Sequence, residues 1–307
     1  MNQTAAGVKL KNKQSESTAG SLPKTRLRSM KRSEKIADTL SLIAIIILAV
    51  AVMLPIWWIF RSSLMTNAQI FAYPPPLVPP DWLFSNYPAT MENFKFWMYL
   101  KNTLIIIVPA VIGGTFTATL CGYAFARLRF RGKKFIFSLC VGSMLLPAMV
   151  TLIPLYIMWT RGLGLQDTYW PLILPYFCGG GAFNIFLIRQ FIMTIPRELD
   201  EAATIDGAGH MRVLTQIIIP AIKPAMVVVA LLIFIWLWND LLQQTVYISK
   251  SEDFTIALGL TIFRSALKAD WPSLMAATCM SFIPGILFYL FGQKSFVEGI
   301  VLTGMKN

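Results

Sequence analysis

The sequence predicts an all-α polytopic membrane protein with six transmembrane helices. Three observations carry that expectation. Of 307 residues, 56% are apolar and only 14% are charged, against roughly 25% charged residues in soluble domains. Mean hydropathy is +0.61. The charges are also bunched, and the uncharged intervals they leave approach the ~20 residues a helix needs to cross a hydrocarbon core.

Those intervals define the elements in order. Asp38 to Arg61 encloses 22 uncharged residues, Lys101 to Arg127 encloses 25, Lys134 to Arg161 encloses 26 and Asp167 to Arg189 encloses 21. Lys223 to Asp240 encloses 16, extended by the largely apolar Leu241 to Ile248, and Asp270 to Lys294 encloses 23. Six spans follow. A seventh uncharged interval, Ser62 to Pro80, contains Pro74, Pro75, Pro76, Pro79 and Pro80. Clustered prolines remove backbone donors and break helices, and bare backbone groups cannot face lipid, so this stretch reads as an ordered loop outside the membrane. The first apolar run lacks the short leader and the A-x-A site of a cleaved signal.

Residues 1–38 then form a basic tail rich in Ser, Thr, Gly and Lys, expected to be disordered unless it serves as a lipid-headgroup patch. Residues 39–293 form the membrane domain, and 294–307 a short C-terminal tail. Twenty of the 27 lysines and arginines fall in the tail, in 127–134, in 189–223 and at the C-terminus. The positive-inside rule puts all of these, and both termini, in the cytoplasm. The formal charge of +12 is thereby explained by orientation in a bilayer, and no nucleic-acid partner is expected.

Catalytic chemistry is not in view. Cys121, Cys140, Cys178 and Cys279 lie scattered inside the spans without metal-ligand spacing and read as small apolar packing residues. The single histidine, His210, has no Cys or carboxylate cluster around it. There is no G-x-x-x-x-G-K-[ST] phosphate loop, so no nucleotide site of that type, and no cofactor is expected on this chain. Gly179-Gly180-Gly181 reads as a close helix approach or kink, with a discontinuous pore-lining helix as the alternative.

The informative stretch is the connection 195–224 between the fourth and fifth spans. Pro196 suits a first helical turn, and Glu198, Asp200 and Glu201 sit near the positive end of the helix dipole. Ala202 and Ala203 allow another surface to approach the backbone. Gly207 is a helix stop able to take a left-handed conformation. Past it, Met211, Leu214 and Ile218 recur at helical spacing, and Pro220 closes the segment. Two short helices with a break are predicted, suited either to a groove on a partner or to lying on the bilayer.

Glu201-Ala202-Ala203, Gly207, then Ile217 and Pro220 resemble the EAA loop of ATP-binding-cassette importer permeases. The fuller form with Asp206, Gly207, Ala208, Pro220 and Pro224 is similar to the carbohydrate branch, and within it to the second permease of maltose-type systems. The resemblance runs from about residue 40 to the C-terminus. It includes Asn102-Thr103, Gly122-Tyr123-Ala124-Phe125-Ala126-Arg127, Ile153-Pro154-Leu155-Tyr156, Leu163-Gly164-Leu165, Trp238-Asn239-Asp240 and Phe296-Val297-Glu298-Gly299. Ile219 replaces the usual leucine before Pro220, and Leu214 stands where an aromatic is common.

The resemblance implies a type I importer fold and four kinds of partner: the bilayer, a second homologous permease, an extracytoplasmic solute-binding protein, and a cytoplasmic ATPase dimer holding ATP and Mg. Glu201, Ala202, Ala203, Asp206, Gly207, Ala208, Met211 and Leu214 would form the coupling helix against the ATPases, with Glu201 as anchor and Gly207 at the bend. The segment 249–271 would contact the binding protein, and the C-terminal tail would reach the ATPases or remain unstructured. Trp236, Trp238, Asn239 and Asp240 form a candidate substrate path, because acids inside a membrane are costly and tend to be functional. The tryptophans could equally be packing or interface residues. A stand-alone secondary transporter is the competing class; it would need an internal repeat and charged residues within the spans, and neither is evident.

Overall fold

The computed structural model describes the backbone of residues 24–263 and 270–304, and the side chains of 38–263 and 270–293. Among the described residues the chain is helical, without strands. Ten helices matter here: α1 (Lys24–Ser63), α2 (Phe96–Arg127), α3 (Lys133–Gly142), α4 (Ala148–Ile157), α5 (Trp170–Phe177), α6 (Ala182–Thr194), α7 (Glu198–Ile205), α8 (His210–Val213), α9 (Ile219–Asn239) and α10 (Trp271–Gly304). The chain divides into two compact units, Met1–Trp58 and Ile59–Asn307.

The first unit is the leading part of α1, whose side chains from Asp38 to Trp58 are all exposed. The helix begins at Lys24, within the predicted basic tail; the rest of the tail lies outside the described residues.

In the second unit α2 is the central post, packed on α5, α6 and α9. Its buried face carries Ile106, Ala110 and Ala118, which meet Ile188 of α6 and Val229 and Ile233 of α9. Lipid tails are as apolar as leucine, so this association rests on close packing and interhelical hydrogen bonds. Gly180 shows how close: a Cβ there would lie 2.4 Å from the Gly114 carbonyl oxygen on α2. A smaller core joins Phe94, Tyr99 and Phe263 to Ala277 and Met280 of α10.

Among the described residues, five helices are long and apolar enough to span a membrane, and a bent pair would make a sixth. The third predicted span is that pair, Lys133–Leu145 and Ala148–Gly162, bent by 103°. Pro147, at the N-cap of α4 with φ −61° and ψ 131°, cannot continue the preceding helix. The fourth span is also broken. Gly179, Gly180 and Gly181 all have positive φ, at 105°, 66° and 97°, and they separate α5 from α6.

The fifth span differs in the other direction. Helix runs unbroken from His210 to Asn239, so Pro220 does not close the segment. Leu214–Ile218 forms a π turn, a widened geometry that accommodates a residue unable to donate to the preceding turn. At the far end the helix stops at Asn239, and Leu241–Ile248 is no extension of it: Asp240 is extended, and Leu242–Tyr247 is a separate short helix.

The proline-rich segment is an ordered loop, as expected. Thr66 and Gln69 form a reciprocal capping box, and the fully buried Arg61 guanidinium donates to the Pro76 carbonyl. On the same side of the bundle, the segment after Ser249 is stapled to α2. Asn102 Nδ2 donates to the carbonyls of Glu252 (2.8 Å) and Phe254 (3.0 Å), and Thr103 Oγ1 accepts from the Ile256 amide (3.0 Å). Tyr169 adds a hydroxyl bond to the Asp253 carbonyl at 3.0 Å.

Candidate functional site

The connection 195–224 folds as one short helix, a break where the sequence predicts it, and then the start of the long helix that runs on to Asn239, so the second short helix expected there is not a separate one. Glu198, Asp200 and Glu201 occupy the first turn of α7, where the unpaired amides and the dipole favour negative charge. The helix ends in a Schellman arrangement: the Ala208 amide donates to the Ala203 carbonyl at 2.9 Å, and the Gly207 amide to that of Thr204 at 3.0 Å. Gly207 supplies the left-handed residue this cap requires, with φ +79°. Ala203 and Ala208 pack on the main core, while Ala202, Asp206 and Gly207 are exposed.

Three contacts hold this elbow to the bundle. Arg127, at the end of α2, reaches Asp200 Oδ2 through Nε at 2.6 Å, with the two side chains 7% and 18% exposed. Its Nη2 donates to the Ile195 carbonyl at 2.8 Å. Tyr123, one turn earlier, donates to the His210 carbonyl at 3.3 Å. Below them Val213, Leu214 and Ile218 are buried in the core. A cleft of about 440 Å³ opens between the parts, lined by Tyr123, Arg127, Arg129, Arg197, Asp200, Glu201 and His210 among others.

Two of the predicted coupling residues, Glu201 and Leu214, take different places within the chain. Within the chain the anchor is Asp200, not Glu201: Glu201 is exposed, and its carboxylate forms no hydrogen bond or ion pair among the described residues. Leu214 is 2% exposed, so it fastens the elbow inward against the bundle. Met211 separates from it, at 65% exposure, and joins Leu199 and Ile205 as exposed apolar side chains on the elbow. The helical spacing of Met211, Leu214 and Ile218 suggested one face; the π turn after Val213 and the docking of α8 on Tyr123 divide it. Arg127 and Tyr123 were in view only as part of a resembling run. An arginine and a tyrosine four apart at the water end of a span, opposite an acidic helix start, was the available signal.

The predicted substrate-path residues do not form one site. Trp238 stacks on Phe234 with ring centroids 5.3 Å apart, and Phe234 on Phe288 at 3.9 Å; with Asn239 it also lines a cavity of about 600 Å³ between α9 and α10. Asn239 Nδ2 turns back to the Ile235 carbonyl at 2.8 Å, and Asp240 Oδ1 accepts the Gln243 amide at 3.1 Å, fixing the start of the next short helix. Trp236 points elsewhere, being 72% exposed, and lines a separate cavity with α4, α5 and α6 residues. Two residues along a helix are about 200° apart, which explains the split.

Comparison with known proteins agrees with this architecture. Residues 110–299 match the family described as binding-protein-dependent transport system inner membrane component. A probable ABC transporter permease of Bacillus subtilis, YurM, is 32% identical over 277 residues, covering 90% of this chain and 91% of that protein. The maltodextrin transport system permease MdxG of the same organism is 33% identical over 230 residues, covering 74% and 82%. Among solved structures, a chain of a bacterial ABC transporter involved in import of the acidic polysaccharide alginate superposes with a TM-score of 0.72 at 27% identity, covering 86% of this chain and 97% of that one. The elbow, the helix order and a match spanning most of the membrane domain thus converge: this chain belongs to the inner membrane components of binding-protein-dependent transport systems.

Proposed function

We propose that this permease subunit serves an ATP-driven importer of sugars or oligosaccharides, and that the elbow is where ATPase closure is transmitted to the spans. The carrying observation is the elbow's two-sided construction. One side, Leu214, Ile218 and the Arg127–Asp200 pair, is locked into the bundle. The other presents Leu199, Ile205 and Met211 to water, an apolar face suited to a groove on a partner. A rigid lever with a free apolar face passes force from that partner into α2 and α9.

In this reading both termini and the elbow are cytoplasmic, consistent with the excess of lysine and arginine there. ATP and Mg are held by an ATPase dimer, and this chain pairs with a second permease to form a heterodimer. A binding protein delivers solute to the opposite face, where Asn102, Thr103 and Tyr169 pin the 249–263 segment. The carbohydrate assignment rests on relatives whose names specify maltodextrin, diacetylchitobiose and galactooligosaccharides. Glu201, exposed and unpaired among the described residues, is assigned to a basic group on the ATPase.

The test is purification of the tagged chain from native membranes in mild detergent. The ATPase and second permease are expected to follow the wild type, and the ATPase to be lost from Glu201→Lys and Met211→Asp at normal membrane levels of the chain. Recovery of the chain alone, with solute uptake intact in ATP-free liposomes, would overturn the reading in favour of a secondary transporter.

A further inference from the structure

The cavity that Trp236 enters brings aromatic and amide side chains together without a charge. It encloses about 320 Å³, at the small end of the ~300–1,000 Å³ range of ligand sites, which limits it to one or two rings. Its walls include Trp159, Tyr176, Asn184, Trp236, Gln243 and Tyr247, and none of its lining residues is charged. Trp236 is exposed, and Trp159 is half-buried against the main core, so each contributes aromatic surface at low conformational cost.

Asn184 is the second, independent observation. It is 8% exposed, its Nδ2 donates to the Gly180 carbonyl, and its Oδ1 has no hydrogen-bond partner among the described residues. The bond to a carbonyl fixes which amide atom is the nitrogen, so the atom left over is an acceptor. A buried acceptor without a partner is unfavourable and calls for a donor that the described residues do not supply. The glycine break creates this position. Asn184 stands in the first turn of α6, and the discontinuous helix brings its amide and the start of α6 to the cavity wall, as broken helices do around transport sites.

We propose that this cavity is a sugar subsite contributed by this chain, taking a single neutral pyranose ring. The ring's C–H face would lie on Trp236 or Trp159, a hydroxyl would donate to Asn184 Oδ1, and Gln243 would bond a second hydroxyl. Uronate rings are disfavoured, because a carboxylate entering the cavity would lose water and meet no cation. This rests on the carbohydrate reading above and specifies it: the chain handles neutral sugar, although the acidic-polysaccharide transporter shares its fold.

The test uses the whole complex, with second permease, ATPases and binding protein, in proteoliposomes. The probes are labelled maltotriose, N,N′-diacetylchitobiose, galactobiose and an alginate trisaccharide. Wild type is expected to take up at least one neutral probe and not the alginate trisaccharide. Trp236→Ala and Gln243→Leu, both at exposed positions where folding is not at risk, should lower neutral uptake tenfold or more. Stimulation of the ATPase by sugar-loaded binding protein should stay within twofold, and Trp97→Ala, an exposed tryptophan elsewhere, should leave uptake unchanged. Asn184→Asp should change the ratio among the neutral probes, which a loss of folded protein would not. Unaltered neutral uptake in Trp236→Ala and Gln243→Leu would overturn the subsite while leaving the carbohydrate reading standing. Preferred uptake of the alginate trisaccharide would overturn its neutral specificity, and uptake of none of the four would overturn the carbohydrate reading together with it.

Discussion

Two residues decide how firmly the elbow is held, and they do so by different physics. Arg127 is nearly buried and serves two acceptors, Asp200 and the Ile195 carbonyl. Removing one partner of a buried pair leaves the other charge uncompensated, typically at 3–5 kcal/mol, and the 18% exposure of Asp200 moderates that. Arg127→Ala is therefore expected to lower the thermal midpoint of the purified complex more than Asp200→Asn, which keeps Arg127 bonded to Ile195. Equal effects would show that the ion pair alone matters. Gly207 acts through backbone conformation. Nothing lies within 4 Å of a Cβ built there, so Gly207→Ala meets no clash and suffers only the left-handed penalty of ~1–2 kcal/mol. Gly207→Asn, which tolerates that conformation, should recover most of the transport that Gly207→Ala loses. Gly207 was legible from sequence because helix stops have a residue-level signature. The choice of Asp200 over Glu201 was not, because it depends on which side of α7 faces the end of α2, a contact between positions 73 residues apart.

At the scale of elements, apolar intervals located five candidate spans and the bent pair that would make a sixth, but the breaks inside them depended on residues whose effect is set by neighbours. Pro147 ends a helix and Pro220 does not; the difference is the π turn upstream of Pro220, which no local propensity reveals. The glycine run combined both readings its sequence allowed, a break and a close approach. These can be separated by substitution. A methyl at Gly180 would sit 2.4 Å from backbone of α2, whereas at Gly181 the nearest atom is 3.9 Å away, on the Asn184 side chain. Both have positive φ, so both pay strain, but only Gly180→Ala must push α2 and α6 apart. We expect Gly180→Ala to abolish monodisperse protein in fluorescence-detected size exclusion, and Gly181→Ala to retain it with a midpoint a few degrees lower. The same folded yield for both would mean that the interhelical approach is not a constraint.

For the whole molecule, exposed apolar side chains lie along α1 in the first unit and on one limb of the second. α3 and α4 contain no buried residue, and Leu145, Met149, Val150 and Ile153 are 85%, 65%, 64% and 67% exposed. An apolar limb bent by 103° does not lie along a bilayer normal as a single straight rod would, and a surface of that shape is better matched by a second protein than by lipid chains alone. The two possibilities differ in what a charge would do. An arginine facing lipid near mid-membrane costs ~2.5–3.5 kcal/mol on insertion scales, which a long apolar segment can bear, and would leave assembly unchanged. An arginine facing a partner subunit would be buried without a counter-ion and would exclude that subunit. Ile153→Arg is thus expected to keep membrane levels of the chain within twofold of wild type while recovery of the second permease falls tenfold or more. Undiminished recovery would assign the limb to lipid and move the subunit interface to another face of the bundle.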